Sequence, residues 1–139
     1  MWDLYGPLKD SSTLIKLICG RSRAGKTTYS KQFKNVIHLD TCGKFPESYQ
    51  KLLLKIDTND DIIVEGIYDT ADLRMQLLQA YQGPGDRICI WLDTPLDVIA
   101  ERFGRFLPKK HPYPFEPPTY DEGWDLITII RKEEDNGRK

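Results

Sequence analysis

Residues 14–19, Leu-Ile-Lys-Leu-Ile-Cys, run directly into Gly20-Arg21-Ser22-Arg23-Ala24-Gly25-Lys26-Thr27. A mostly apolar run of this length bounded by glycine reads as a buried strand, and the glycine-bearing stretch behind it as a turn that leads into a helix. Glycine at both ends of the turn lets the backbone curl until successive N–H groups face one concavity, and a helix beginning at Lys26 would add the positive end of its dipole. A concavity of that kind suits a polyphosphate. The spacing G-x-x-x-x-G-K-T is that of a P-loop, in which Lys26 reaches the outer phosphates and the Thr27 hydroxyl is offered to Mg²⁺. Gly20, Arg21, Ser22, Arg23, Ala24, Gly25, Lys26, Thr27 and Thr28 are therefore the expected nucleotide-binding residues. The side chains of Arg21 and Arg23 are expected to point outward, with Arg23 near enough to approach phosphate oxygens.

The rest of the chain alternates two patterns. Short apolar runs at 36–39, 62–64, 88–92 and 126–130 read as strands. Between them, helices are predicted over 26–34, where Tyr29 and Phe33 share a face, and over 47–56, where Tyr49, Leu52, Leu53 and Ile56 recur at i, i+3, i+4 and i+7. A third is predicted over about 71–82, carrying Leu73, Leu77, Leu78 and Tyr81 on one side and closed by Gly83-Pro84-Gly85. A fourth starts at Thr94-Pro95, with Thr94 as its cap, and runs to about 103. Strands that are apolar throughout, separated by helices, imply a parallel sheet covered on both faces: an α/β fold in three layers with about five strands. The 139 residues suit one domain, with an N-terminal extension at 1–12 and a charged tail at 132–139.

Composition removes several alternatives. Twenty basic and 21 acidic residues leave a formal charge of -1, so no global field draws the chain to nucleic acid or to a membrane surface. No apolar run approaches the roughly 18 residues of a membrane span, and the opening residues lack the basic-then-apolar layout of a secretory signal. A cytoplasmic location is expected. Cys19, Cys42 and Cys89 are odd in number and show no C-x-x-C spacing, which predicts reduced thiols packed as small hydrophobes. His38 and His111 form no metal-ligand pattern.

In parallel sheets ligands bind beyond the carboxyl ends of the strands, so strand-ending residues are the informative ones. Asp40 closes Val-Ile-His-Leu-Asp and is placed to orient an attacking hydroxyl and take its proton, or else to cap a turn. Glu65 ends Ile62-Ile63-Val64 in the manner of an acid that serves Mg²⁺ or its water shell, with pairing to Arg74 or Lys44 as the structural alternative. Gly66 behind it would let a substrate approach the backbone. Asp69 and Asp72 read as a helix cap and a first-turn acid, and Asp93 as a turn residue. Residues 104–123 hold five prolines and cannot be regular helix or central strand. With Arg102 and Arg105 at its root and Lys109, Lys110 and His111 within it, this loop suits a lid that closes over nucleotide and supplies positive charge.

These stretches together resemble the kinase domain of polynucleotide kinases. The resemblance rests on the P-loop, the strand ending in Asp40, Val64-Glu65-Gly66, the run from Ile90 through Asp93-Thr94-Pro95 to Glu101-Arg102, and Phe115-Glu116-Pro117-Pro118-Thr119-Tyr120-Asp121-Glu122-Gly123, and it covers nearly the whole chain. It implies a P-loop kinase fold with a lid, ATP and Mg²⁺ as cofactors, and transfer of a phosphoryl group to the 5′-hydroxyl of DNA or RNA. It also implies Lys26 and Thr27 on the phosphates and metal, Asp40 as general base, Glu65 as the acid after the third strand, and Arg102 and Arg105 as lid arginines. Gly43 stands where phage members carry an arginine that grips the acceptor's phosphate, and the lid arginine spacing is shifted.

Three functions follow as expectations. The leading one is an ATP-dependent kinase acting on the 5′-OH end of a nucleic acid. The second is a kinase of a small alcohol such as a nucleoside, nucleotide or sugar, which the neutral charge balance supports because polynucleotide tracking wants a basic groove. The third is a nucleotide-gated binding module without transfer. No Asn-Lys-x-Asp guanine signature accompanies it, and it would leave Asp40 and a lid without a purpose.

Overall fold

A computed structural model describes residues 13–21, 24–56, 61–95, 98–99 and 115–131. Within them the chain forms β1 (Ile15–Cys19), α1 (Lys26–Ser30), β2 (Val36–His38), α2 (Glu47–Leu53), β3 (Ile62–Gly66), α3 (Ala71–Ala80), β4 (Arg87–Leu92) and β5 (Leu126–Ile130). The five strands make one sheet in the order β2-β3-β1-β4-β5, and every neighbouring pair is parallel. This is the α/β architecture that uninterrupted apolar strands predict.

Strand alternation explains how one sheet is covered twice. Ile15, Leu17 and Cys19 of β1, with Ile62 and Val64 of β3 and Cys89 of β4, pack into one core with Tyr49 and Leu52 of α2 and Leu77 and Leu78 of α3. Their even neighbours in β1 and β4, Ile18, Ile90 and Leu92, form a second core with Ala24, joined by Tyr29 and Phe33. The period of two in each strand thus sorts residues between the layers. Burial is worth about 1.5–3 kcal/mol for each large aliphatic side chain, and it is concentrated in β1, where Ile15, Leu17 and Ile18 are fully enclosed. Edge strand β5 keeps Leu126 and Ile129 about half exposed.

Two helices are shorter than their periodicity predicts. The first ends at Ser30, not near residue 34. Ser30 turns its hydroxyl back onto the Thr27 carbonyl at 2.8 Å, a local bond that competes with helix continuation. A tight turn follows, in which the Phe33 N–H donates to the Ser30 carbonyl, and Phe33 still meets Tyr29 at 6.0 Å between ring centres. Helix α2 ends at Leu53, and residues 54–56 continue as i to i−3 turns that keep Ile56 against the core. In α3 the cap is Thr70, whose side chain accepts from the Leu73 N–H, and not Asp69.

The three cysteines are free and buried, as expected, with the Cys19 and Cys89 sulfurs 3.7 Å apart across β1 and β4. Among the described residues no helix is long and apolar enough to cross a membrane.

Candidate functional site

The strand order reverses direction at β1, because the chain places β2 and β3 on one side of it and β4 and β5 on the other. The crevice beyond the carboxyl end of such a strand is where α/β sheets bind ligands. Gly20, Arg21, Ala24 and Gly25 lie at that end. Gly25 sits at φ 105°, a left-handed conformation that favours glycine, and the chain turns there into α1. Thr94, at the end of β4, donates its buried hydroxyl to the Ala24 carbonyl at 2.8 Å and so ties the loop to the sheet. Sequence reading gives Thr94 as the cap of a following helix, most of which lies outside the described residues; no local pattern reveals its partner 70 residues away.

Lys26 opens α1 and is only 7% exposed, its ammonium donating to the Arg21 carbonyl at 2.7 Å. Burial pulls its pKa below the ordinary lysine value, while the charges of Glu65, Cys19 and Asp40, in that order, act the other way. Arg21 does not point outward as expected. Its guanidinium lies over the Phe115 ring at 5.9 Å, and Phe115 in turn stacks on Trp91 with ring centres 5.8 Å apart.

Glu65 lies in β3, alternating with Ile62 and Val64, so it faces the α1 side of the sheet with Ile63. Its register partner in β2 is His38. Side chains in register stand side by side, and the His38 Nδ1 donates to Glu65 Oε1 at 2.6 Å. Neither Arg74 nor Lys44 pairs with Glu65 in the described contacts. This histidine was read as an ordinary strand residue; a cross-strand neighbour becomes visible only once the register is known. Gly66 serves packing, because a Cβ there would stand 2.6 Å from that of Leu39. Strand β2 stops at His38, and Asp40 sits on the single turn Leu39–Thr41, exposed.

Lys26, Thr27, Asp40 and Glu65 line a single open cavity of about 1040 Å³. Another wall comes from the turn before α2, α2 itself, the segment between β3 and α3, and the stretch that begins at Phe115. It presents Phe45, Ser48 and Tyr49, then Asp69, Thr70 and Glu116. Phe45 is 77% exposed and meets the Tyr49 ring edge-on at 6.0 Å. Burial lifts the Asp69 carboxyl above the usual range; its own backbone N–H and Arg74 oppose the rise, and Glu116 adds to it. Glu116 is fixed from both sides, its N–H donating to the Asp69 carbonyl and its Oε1 accepting from the Ala71 N–H, each at 2.9 Å.

Behind that wall, Arg74 is fully buried and forks onto Glu122 with Nε–Oε1 and Nη2–Oε2 distances of 2.8 and 2.9 Å. It also donates to the Tyr68 and Pro117 carbonyls, while Trp124 donates to Glu122. Burial disfavours both charges, yet the pairing prevails: Arg74 is held above and Glu122 below its usual pKa. Thr119 and Glu122 close a reciprocal capping box around the turn Tyr120–Glu122. Residues 115–123, part of the loop expected to act as a lid, are therefore pinned to α3 and β4. The remainder of that loop lies outside the described residues, as do Ser22, Arg23, Arg102 and Arg105.

The residues present fit a magnesium nucleotide. The loop supplies a buried cation, and Thr27, Glu65 and Asp40 bring only oxygen donors to the cavity, the set that a hard cation prefers. Among the described residues no group of three or more His, Cys, Asp or Glu side chains is placed to hold a metal by itself. An ion here would depend on phosphate oxygens and water for its other ligands.

No family model matches the chain, and no curated protein matches it. Among solved structures, the fold is similar to that in the crystal structure of APE1195, with a TM-score of 0.62 and 16% sequence identity over 84% of each chain. That likeness concerns the fold alone.

Proposed function

We propose that this protein is an ATP-dependent phosphotransferase that moves the γ-phosphoryl group to a hydroxyl. The observation that carries the reading is the convergence of Lys26, Thr27, Asp40 and Glu65 on one cavity at the switch point of the sheet. In this reading the loop N–H groups and Lys26 hold the phosphates. Thr27 and Glu65 would hold Mg²⁺ or its waters, with His38 fixing the Glu65 carboxylate. Bound there, the ion would offset charge on the transferring phosphoryl group. Asp40 orients the acceptor hydroxyl and accepts its proton as the oxygen bonds to the γ-phosphorus. The bond from that phosphorus to the β–γ bridging oxygen breaks, and ADP leaves. Arg102 and Arg105 belong to the proposal through the resemblance, as cations above the phosphates, and a cytoplasmic location belongs to it through the sequence.

For the acceptor, the resemblance favours the 5′-hydroxyl end of DNA or RNA. A small uncharged alcohol is favoured by a different observation, the carboxylates Asp69 and Glu116 in the same lining. Incubation with labelled ATP, Mg²⁺ and a panel of 5′-hydroxyl DNA, 5′-hydroxyl RNA, nucleosides, nucleotides and sugars tests the reading. Label is expected on a hydroxyl of at least one acceptor, and Asp40→Asn is expected to slow transfer by about 10² to 10⁴ while ATP still binds. ATP binding with no transfer to any acceptor would leave a nucleotide-gated binding module.

A further inference from the structure

We infer that the acceptor half of the cavity takes an uncharged hydroxyl compound with a planar ring, of the nucleoside type, and turns away acceptors that carry a phosphate. The inference rests on the phosphotransferase reading and narrows it. The cavity lining holds four carboxylates, Asp40, Glu65, Asp69 and Glu116, against one cation among the described residues, Lys26. Lys26 belongs to the phosphate loop. Asp40 and Glu65 face the same side, where the metal and the transferring group would balance them. Asp69 and Glu116 stand on the other wall with no cation beside them in the lining.

Arg74, whose charge acts on Asp69, is engaged by Glu122 through two hydrogen bonds. A cleft lined by one sign of charge focuses its field, so a phosphate placed there meets repulsion.

The same wall offers what an uncharged ring needs. Phe45 exposes most of its ring at the cavity and is braced by Tyr49, whose hydroxyl donates to the Ile67 carbonyl. Stacking on such a ring is tolerant of the identity of the base. Ser48 and Thr70 add hydroxyls that can meet sugar or base edges. A cavity of about 1040 Å³ is at the upper end for one small ligand, which leaves space for a triphosphate tail and a nucleoside together.

The test uses the full chain with Mg²⁺, a non-hydrolysable ATP analogue for binding and ATP for transfer. The acceptors are adenosine, cytidine, their 3′-monophosphates, a 5′-hydroxyl oligonucleotide and glycerol. The nucleosides are expected to bind and be labelled at least tenfold better than their 3′-monophosphates or the oligonucleotide. In the Asp69→Asn, Glu116→Gln double variant, which keeps an oxygen acceptor for the Ala71 N–H, that ratio should narrow at least threefold with affinity for the analogue unchanged. Phe45→Ala should weaken nucleoside binding about tenfold and leave the analogue alone. Phosphorylated acceptors that bind as well as nucleosides would overturn the inference, as would label on glycerol with no nucleoside binding, which keeps the phosphotransferase reading. Selective nucleoside binding with no label anywhere would instead sustain the site and overturn the reaction.

Discussion

Arg74 and Lys26 are both buried cations, and the fold treats them in opposite ways. Arg74 has no exposed surface and meets a bidentate carboxylate and two carbonyls, so its pKa rises despite burial. Lys26 keeps 7% exposure and one backbone carbonyl, its carboxylate neighbours act across a cavity, and its pKa falls. The first charge is neutralised by contact, which leaves nothing for a ligand to do. The second is left short of partners beside open space, which is the condition for binding an anion. Burial of a charge is therefore uninformative alone; the completeness of its pairing separates a strut from a site.

The comparison breaks first at Arg74. Arg74→Ala strands Glu122 in the core and is expected to cost about 3–5 kcal/mol in unfolding free energy measured by denaturant titration. Replacing both partners with apolar residues, as in Arg74→Met with Glu122→Leu, should recover most of that loss, because no lone charge remains. Lys26→Met should do the reverse: stability equal to or above that of the parent, since a costly buried charge is gone, with ATP affinity reduced about 10- to 150-fold by calorimetry. A Lys26→Met protein that unfolds as readily as Arg74→Ala would erase the distinction.

Smaller effects sharpen it. Thr94→Val removes the hydroxyl that holds the loop and should cost about 1 kcal/mol of stability, together with a measurable drop in nucleotide affinity. Glu122 supplies a test by pH. Its folded pKa lies below the unfolded value of about 4.3, so its contribution is complete above that value and is lost as pH falls through the folded one. Melting temperature followed from pH 5 to 2 should fall less steeply in Glu122→Gln than in the parent, starting from a lower value.

Most of the sheet was legible because each strand announces itself locally. The runs at 14–19, 62–64, 88–92 and 126–130 all became strands within a residue or two of the expected bounds. The stripe of Tyr49, Leu52, Leu53 and Ile56 found its core although the helix stopped early. What escaped was every contact that depends on two elements at once. His38 meets Glu65 only because β2 and β3 share a register, and Arg74 meets Glu122 across 48 residues. The segment Phe115 to Gly123 read as part of a lid from its prolines, although Thr119, Glu122 and Trp124 turn its end into a clamp. Asp69 was read as a helix cap from its residue type; the cap is Thr70, and Asp69 lines the cavity.

The bond from Thr94 to Ala24 has a consequence in time. The loop sits early in the chain, yet its fastening comes from the end of β4, after three crossover connections have been laid down. Contacts so distant form late, because a long stretch must be ordered before they repay their loop entropy. A chain still emerging from the ribosome, with β1 and α1 made but β4 not yet docked, would hold the loop without this fastening. On the proposed function, nucleotide capture would then strengthen as the sheet completes.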